Sequence, residues 1–381
     1  MPLTAYSRAY SRELDLAQWV SLHTQRPLQT GDLVAIEESW RTAARQDLAC
    51  PSCGAMGVEL VAAAGSRASN KIIRQACFRF RRTDSGNAHD PLCDFADEDE
   101  RNSLPESLVN LTESKNKLME KVRLLVCAGL QAGVFDHAKM RDMRLWFLAQ
   151  KRESQFTVML DPRIPQFLHA IDRQSFYGLN LAFHPTHAEI PGFDWHRAAQ
   201  TRAAEPFRHL FEPGQLARHY RHEAVATRTS ALAKRYHGKT LFDPSPLAVK
   251  YDQAELLTRF LVAAFPGLAK LKSLCFVSRS LEPQPPLLAL AALLLFVSDW
   301  DTNQAIASFA RLAAVGDVVD LTGGNIIGLN PFHDLRPLSL LRATQELHPP
   351  IDPEASIDAL LTVAEAELRE EHRQWKAVVL A

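Results

Sequence analysis

Residues 50–93 read CPSCGAMGVELVAAAGSRASNKIIRQACFRFRRTDSGNAHDPLC. Two donor pairs bracket this stretch, Cys50 with Cys53 at one end and His89 with Cys93 at the other. Spacings of this kind put two metal donors on one tight turn, and two such turns brought together close a tetrahedron around Zn²⁺. Between the pairs, Gly57 to Ala63 alternates through Val58, Leu60 and Ala62, and Lys71 to Arg81 carries Ile73, Phe78 and Phe80. That is the pattern of two short strands around a Gly65-Ser66 turn, as in a zinc ribbon. A fifth donor, Cys77, lies in the second of these strands. Cys50 and Cys53 partner each other and Cys93 is the third ligand, while the fourth place stays open between His89 and Cys77, which alternatively reads as a buried thiol. With either set, four protein donors leave no position for water or substrate, so the expected Zn²⁺ is structural and not catalytic.

This layout, over roughly residues 33–95, resembles the N-terminal zinc module of the CoiA-like competence proteins. There a Cys-Pro-x-Cys-Gly turn is followed, after a short β-like insert, by a His-Phe-x-His element and a further His or Cys. Here the corresponding residues are Cys50-Pro51-Ser52-Cys53-Gly54, then Cys77-Phe78-Arg79-Phe80, then His89 and Cys93. Cys77 stands where that pattern has its first His, and Phe80 where it has its second. The resemblance implies a restriction-endonuclease-like domain downstream, in which carboxylates on adjacent strands hold Mg²⁺. Glu113-Ser114-Lys115 is the nearest match to that requirement, but it sits in a helical run, where it reads as a solvated helix face. No nucleophile elbow or phosphate-binding loop is present either, since Gly323-Gly324-Asn325 lacks the accompanying Lys. No catalytic residue is singled out, and a Mg²⁺-dependent nuclease is the alternative reading.

The 381 residues carry 43 Lys and Arg against 44 Asp and Glu, a net charge of -1, so contact with nucleic acid has to come from a local patch. Two patches qualify. No acid falls between Arg67 and Arg82, a run that includes Lys71, Arg74, Arg79, Arg81 and Arg82 and would make the expected hairpin a phosphate-contacting finger. The opposing expectation is that these arginines pair with the acids between Asp94 and Glu100. The second patch is Arg218, Arg221, Arg228 and Arg235, a positive stripe beside Tyr220 and Tyr236 on a helix expected over Gly214 to Tyr236. His184, His187 and His196 lie among prolines and read as loop residues more readily than as a second metal site.

Helical periodicity marks Ser11 to His23, Gly31 to Gln46, Glu106 to Ala132, Asp136 to Lys151, Leu247 to Ala264, Pro286 to Phe296, Asn303 to Val315 and Asp352 to Ala377. Short β-like pieces fall at Phe156 to Leu160 and Leu179 to Phe183, the Pro- and His-rich run from Pro162 to Pro213 reads as irregular, and a hairpin is expected in Val318 to Leu329. The expected class is α+β, mainly α, with a zinc-ribbon-like module in residues 1–100, a helical hairpin and irregular region in 101–212, and a helical domain in 213–381. The start of the chain has no apolar core of signal-peptide length, and the apolar run ending at Val297 is too short to span a bilayer. Six cysteines, four of them between Cys50 and Cys93, fit a metal site in a reducing compartment, so a cytoplasmic protein is expected, without membrane contact. Together these features predict a zinc-stabilised, non-catalytic protein that binds DNA or RNA or belongs to a nucleoprotein complex. A protein-interaction scaffold is the further alternative.

Overall fold

The computed structural model describes residues 4–28, 33–65, 72–74, 76–80, 89–90, 92–93, 117–175, 182–207, 222–277, 282–320, 329–347 and 356–379. Among these the architecture is mainly α-helical with small sheets, as the sequence led us to expect. The expected boundaries near residues 100 and 212 lie outside the described residues. Compactness groups the chain into two discontinuous units: Met1–Gln155 with Pro246–His333, and Phe156–Ser245 with Asp334–Ala381.

The first unit opens with a hairpin, β1 (Thr4–Ser7) and β2 (Arg12–Asp15), where helix was expected from Ser11. Ser11 turns with φ 51°. β1 pairs antiparallel with both β2 and β3 (Leu48–Ala49). Helix α1 (Leu16–Thr24) cannot begin earlier because Asp15 caps it, accepting from the Gln18 backbone N–H while the Gln18 side chain accepts from Asp15 N–H. Helix α2 (Glu38–Asp47) leads into β3. At its end the Asp47 carboxylate accepts from Ser7 Oγ at 2.6 Å, Ala9 N at 2.7 Å and Trp19 Nε1 at 2.7 Å, joining hairpin and α1. Burial pushes the Asp47 pKa up, but these hydrogen bonds outweigh it and hold the carboxyl below its ordinary value.

Where the sequence pattern predicts short strands, two antiparallel pairs form, β4 (Val58–Val61) with β7 (Cys77–Phe80) and β5 (Ala64–Gly65) with β6 (Ile72–Arg74). The turn expected at Gly65-Ser66 lies largely outside the described residues. Val58, Leu60, Phe78 and Phe80 pack into one core with Leu14, Trp19, Leu33 and Leu48. The helices of this unit are α3 (Lys117–Gln131), α4 (His137–Glu153), α8 (Ala248–Ala264), α9 (Pro285–Val297) and α10 (Thr302–Ala313), with two single-turn helices at Pro266–Ala269 and Lys272–Cys275. Helix α9 is buried from Pro286 through Leu295 and packs on α3, α4, α8 and α10, which accounts for its lack of a polar face. Among the described residues no single helix is long and apolar enough to cross a membrane.

Gly129 on α3 has a packing role. A Cβ there would lie 2.3 Å from the ring of Phe135, which is buried beneath the helix. Gly129→Ala should therefore destabilise the protein by about 1–3 kcal/mol despite the better helix propensity of alanine, measured as a lower urea midpoint at unchanged slope.

The second unit contains β8 (Gln155–Thr157), α5 (Ile164–Ser175), α6 (Trp195–Ala204), α7 (Glu223–Tyr236), β9 (Thr240–Phe242), α11 (Leu335–Leu347) and α12 (Ile357–Val379). β8 pairs with β9. The region expected to be irregular holds α5 and α6, because Pro165 occupies a first-turn position that suits proline and Asp194 caps α6 through Arg197 N at 3.0 Å. Leu361, Ala364 and Leu368 of α12 are buried, and α12 packs on α6, where Ala364 and Leu368 share a core with Ala199. Of the helix expected over 214–236, the described part is α7 from Glu223, with the extended His222 at its N-cap position, and residues 214–221 lie outside the described residues. The expected strand at 179–183, the hairpin at 318–329 and the starts of the helices expected from 106 and 352 lie wholly or partly outside the described residues.

Candidate metal centre

Two turns carry the site. In the first, Cys50 ends the strand-like run after β3, Gly54 N donates to Cys50 O at 3.0 Å, and Cys50 N donates to Ala55 O at 2.8 Å. The loop closes because Gly54 takes φ 74°, a conformation that glycine adopts without cost. In the second, the Asp90 side chain accepts from Leu92 N at 2.8 Å and its carbonyl accepts from Cys93 N at 2.9 Å, an Asx-type turn that folds Cys93 back toward His89.

The donor atoms of Cys50, Cys53, His89 and Cys93 all lie within 4.8 Å of one another. Cys50 and Cys93 are fully buried, with sulfurs 3.8 Å apart, the edge of a tetrahedron whose centre-to-sulfur distance is about 2.3 Å. His89 presents Nδ1 to the Cys53 sulfur at 3.2 Å, and its ring stands edge-on to Phe80 with centroids 5.2 Å apart. Burial pushes the Cys50 thiol well above its ordinary value. Hydrogen bonds from Cys50 and Cys93, and then from His89, pull the Cys53 thiol far down. Four donors of this type, so close and so buried, can hold a metal ion, and its charge would compensate thiolates that otherwise repel one another.

Cys77, the other candidate, is not in this group. It is buried in β7 opposite Val61 and shares a strand face with Arg79, while the alternate residues Phe78 and Phe80 enter the core. The donor that Cys77 competed with, His89, takes the fourth place.

Sequence reading missed the layer behind the donors, and that layer comes from α4. Arg152 donates to Asp90 Oδ2 from Nε at 2.8 Å and from Nη2 at 2.6 Å, and the buried Lys151 ammonium reaches the Leu92 carbonyl at 3.3 Å. Arg141 lies 3.6 Å from where a Cβ on Gly54 would stand. Only the run of basic residues along α4 hinted at this, and nothing local aims them at a loop some sixty residues away. Arg152→Ala should weaken metal binding about 10-fold, read by competition with a chromophoric chelator, because partners that fix ligand loops are worth roughly 10- to 100-fold in affinity.

Of the candidate nucleic-acid residues, Arg79, Arg228 and Arg235 are described with their side chains. Arg79 sits on β7 directly across from Glu59. Arg74 is in β6, its side chain outside the description, and Arg81, Arg82, Arg218 and Arg221 lie outside the described residues, as do Glu113 and Lys115. In the second unit Arg228 makes an ion pair with Asp334 at 2.5 Å, and this hydrogen bond raises its pKa. Arg235 stacks over Tyr236 at 5.4 Å. Because α7 begins at Glu223, it carries Arg228 and Arg235 but not Arg218 and Arg221, so the expected four-residue stripe is not the face of one helix. His184 accepts from Thr186 N at 3.3 Å at the start of the 3₁₀ turn Pro185–Glu189, and Asp194 caps α6, so these residues are structural. Neither a protein-family model, nor a curated protein, nor a solved structure matches this chain.

Proposed function

We propose that the chain is a non-catalytic, zinc-stabilised binding protein whose N-terminal ribbon is a phosphate-contacting finger for DNA or RNA, acting alone or within a nucleoprotein complex in the cytoplasm. The observation that carries the structural role of the metal is the closure of the site: four protein donors, two of them fully buried, leave no coordination position for chemistry. Three thiols with one imidazole are a donor set that favours Zn²⁺ over the hard cations. The nucleic-acid role rests on the sequence from Arg67 to Arg82, which carries Arg74, Arg79, Arg81 and Arg82 without an acid and lies between the two donor pairs along the chain. The pairing of Arg228 with Asp334 favours the scaffold reading for the second unit, where binding would be to protein.

The test is direct. Zinc analysis should give one ion per chain, and fluorescence anisotropy with single-stranded and duplex oligonucleotides should show affinity that falls steeply with salt. Replacing Arg79, Arg81 and Arg82 together by alanine should weaken binding and lower the salt slope by about 2–3. Unchanged affinity and slope in that variant would sink the finger assignment and leave the scaffold.

A further inference from the structure

His137, Arg141 and Arg144 recur at spacings of four and three along α4 and therefore share one face of it. In the same unit β2 supplies Arg12 and Glu13, and β1 supplies Tyr6, the register partner of Glu13. The acids around this group are engaged. Glu13 is buried and accepts from Arg144 Nη1 at 2.6 Å and Thr4 Oγ1 at 2.5 Å. Asp136 caps α4 through Lys139 N at 2.8 Å, and the exposed Asp320 meets Arg12 Nη2 at 3.3 Å.

The donors, in contrast, outnumber their acceptors. Arg12 Nε, His137 Nδ1 and Arg141 Nε are all buried and have no hydrogen-bond partner. Buried nitrogens of this kind are uncommon because each gives up water without replacement. They belong to one neighbourhood: beyond burial, which lowers the His137 pKa, the charges of Glu13, Arg12 and Arg144 all act on that imidazole. The Arg141 guanidinium lies over the Tyr6 ring at 4.4 Å, a contact that uses its face and leaves its in-plane N–H groups unspent.

We propose that this cluster, between α4 and the β1–β2 hairpin, binds a phosphate group, with Arg141 and Arg12 as guanidinium ligands and His137 as a third donor. Two forked guanidinium groups match the several acceptor oxygens of a phosphate, and charge-assisted bonds of this type are the strong ones. Glu13 does not repel the ligand appreciably because Arg144 neutralises it. Arg12, Arg141 and His137 are each only partly buried, so part of each side chain reaches solvent although the three unpartnered nitrogens do not. The site does not depend on the nucleic-acid reading, since free phosphate and a nucleotide present the same oxygens.

Isothermal titration of the metal-loaded full chain with inorganic phosphate, at ionic strength held constant with chloride, should show saturable one-site binding. Arg141→Gln should weaken it by about 10-fold or more, the equivalent of one lost charge-assisted hydrogen bond. Arg141→Lys, which keeps the charge and loses the fork, should fall between the two and guards against misfolding of the first variant. A thymidine 5′-monophosphate arm identifies the source: tighter binding than inorganic phosphate supports a nucleotide ligand, equal or weaker binding supports the free ion, and both support the site. Absence of saturable phosphate heat in the wild type, or wild-type affinity in both variants, would overturn it.

Discussion

Stripping the metal with a strong chelator is expected to unfold the N-terminal part of the first unit, lowering the thermal midpoint by roughly 10 °C or more. The size of the effect follows from where the donors sit. Cys50 and Cys93 are members of the same core as Leu14, Trp19, Val58 and Phe78, so the ion would be anchored directly to that core. Without it, three thiols would have to shed or share protons in a dry cluster, and the turns ending at Gly54 and Cys93 would lose the only cross-link between them that the donor set offers. Cys93→Ser should reproduce most of this loss and drop the metal content. Cys77→Ala is the matched control: it removes a thiol buried in the adjacent strand, should cost about 1 kcal/mol, and should leave one ion per chain. Metal loss in the Cys77 variant would show that the fourth ligand had been misassigned. Following far-ultraviolet circular dichroism and metal release on the same samples separates unfolding from simple demetallation.

The Arg144–Glu13 pair carries the second large effect. Its side chains are 1% and 4% exposed and 2.6 Å apart, linking α4 to β2 within the first unit. Arg144→Met should destabilise by about 3–5 kcal/mol, because it takes the paired guanidinium away from a carboxylate that stays buried in the core. Adding Glu13→Leu to that variant should recover most of the loss, since two apolar side chains of similar volume need no partner. Chemical denaturation of the two single variants and the double variant gives the coupling energy directly. If the double variant were as unstable as Arg144→Met alone, packing and not charge would explain the effect.

Much of the helical body was legible because its signals are local. Asp136 before α4, Asp301 before α10 and the two prolines that open α9 are start signals, and 3.6-residue periodicity does the rest. The first fifteen residues were not legible in this way. β1 and β2 are four residues each, and their state is fixed by pairing with Leu48–Ala49, far along the chain, so a short run that looks helical yields to the sheet. Residues 164–204 failed for the opposite reason. Their prolines, histidines and aromatics resemble a loop, although Pro165 and Asp194 open helices there.

At the candidate metal centre the sequence by itself determined the donor types, the two tight turns and the short strands between them. These are properties of residues three or four positions apart, set by local backbone geometry. Only the tertiary structure decided between His89 and Cys77, because that choice depends on the side of β7 that faces the core. Tertiary structure alone also brought Arg152 and Lys151 to the second turn across some sixty residues, and gathered Arg12, His137 and Arg141 into a single group. Contacts of that range follow from how helix α4 packs on the rest of the unit, and no spacing along the chain encodes them.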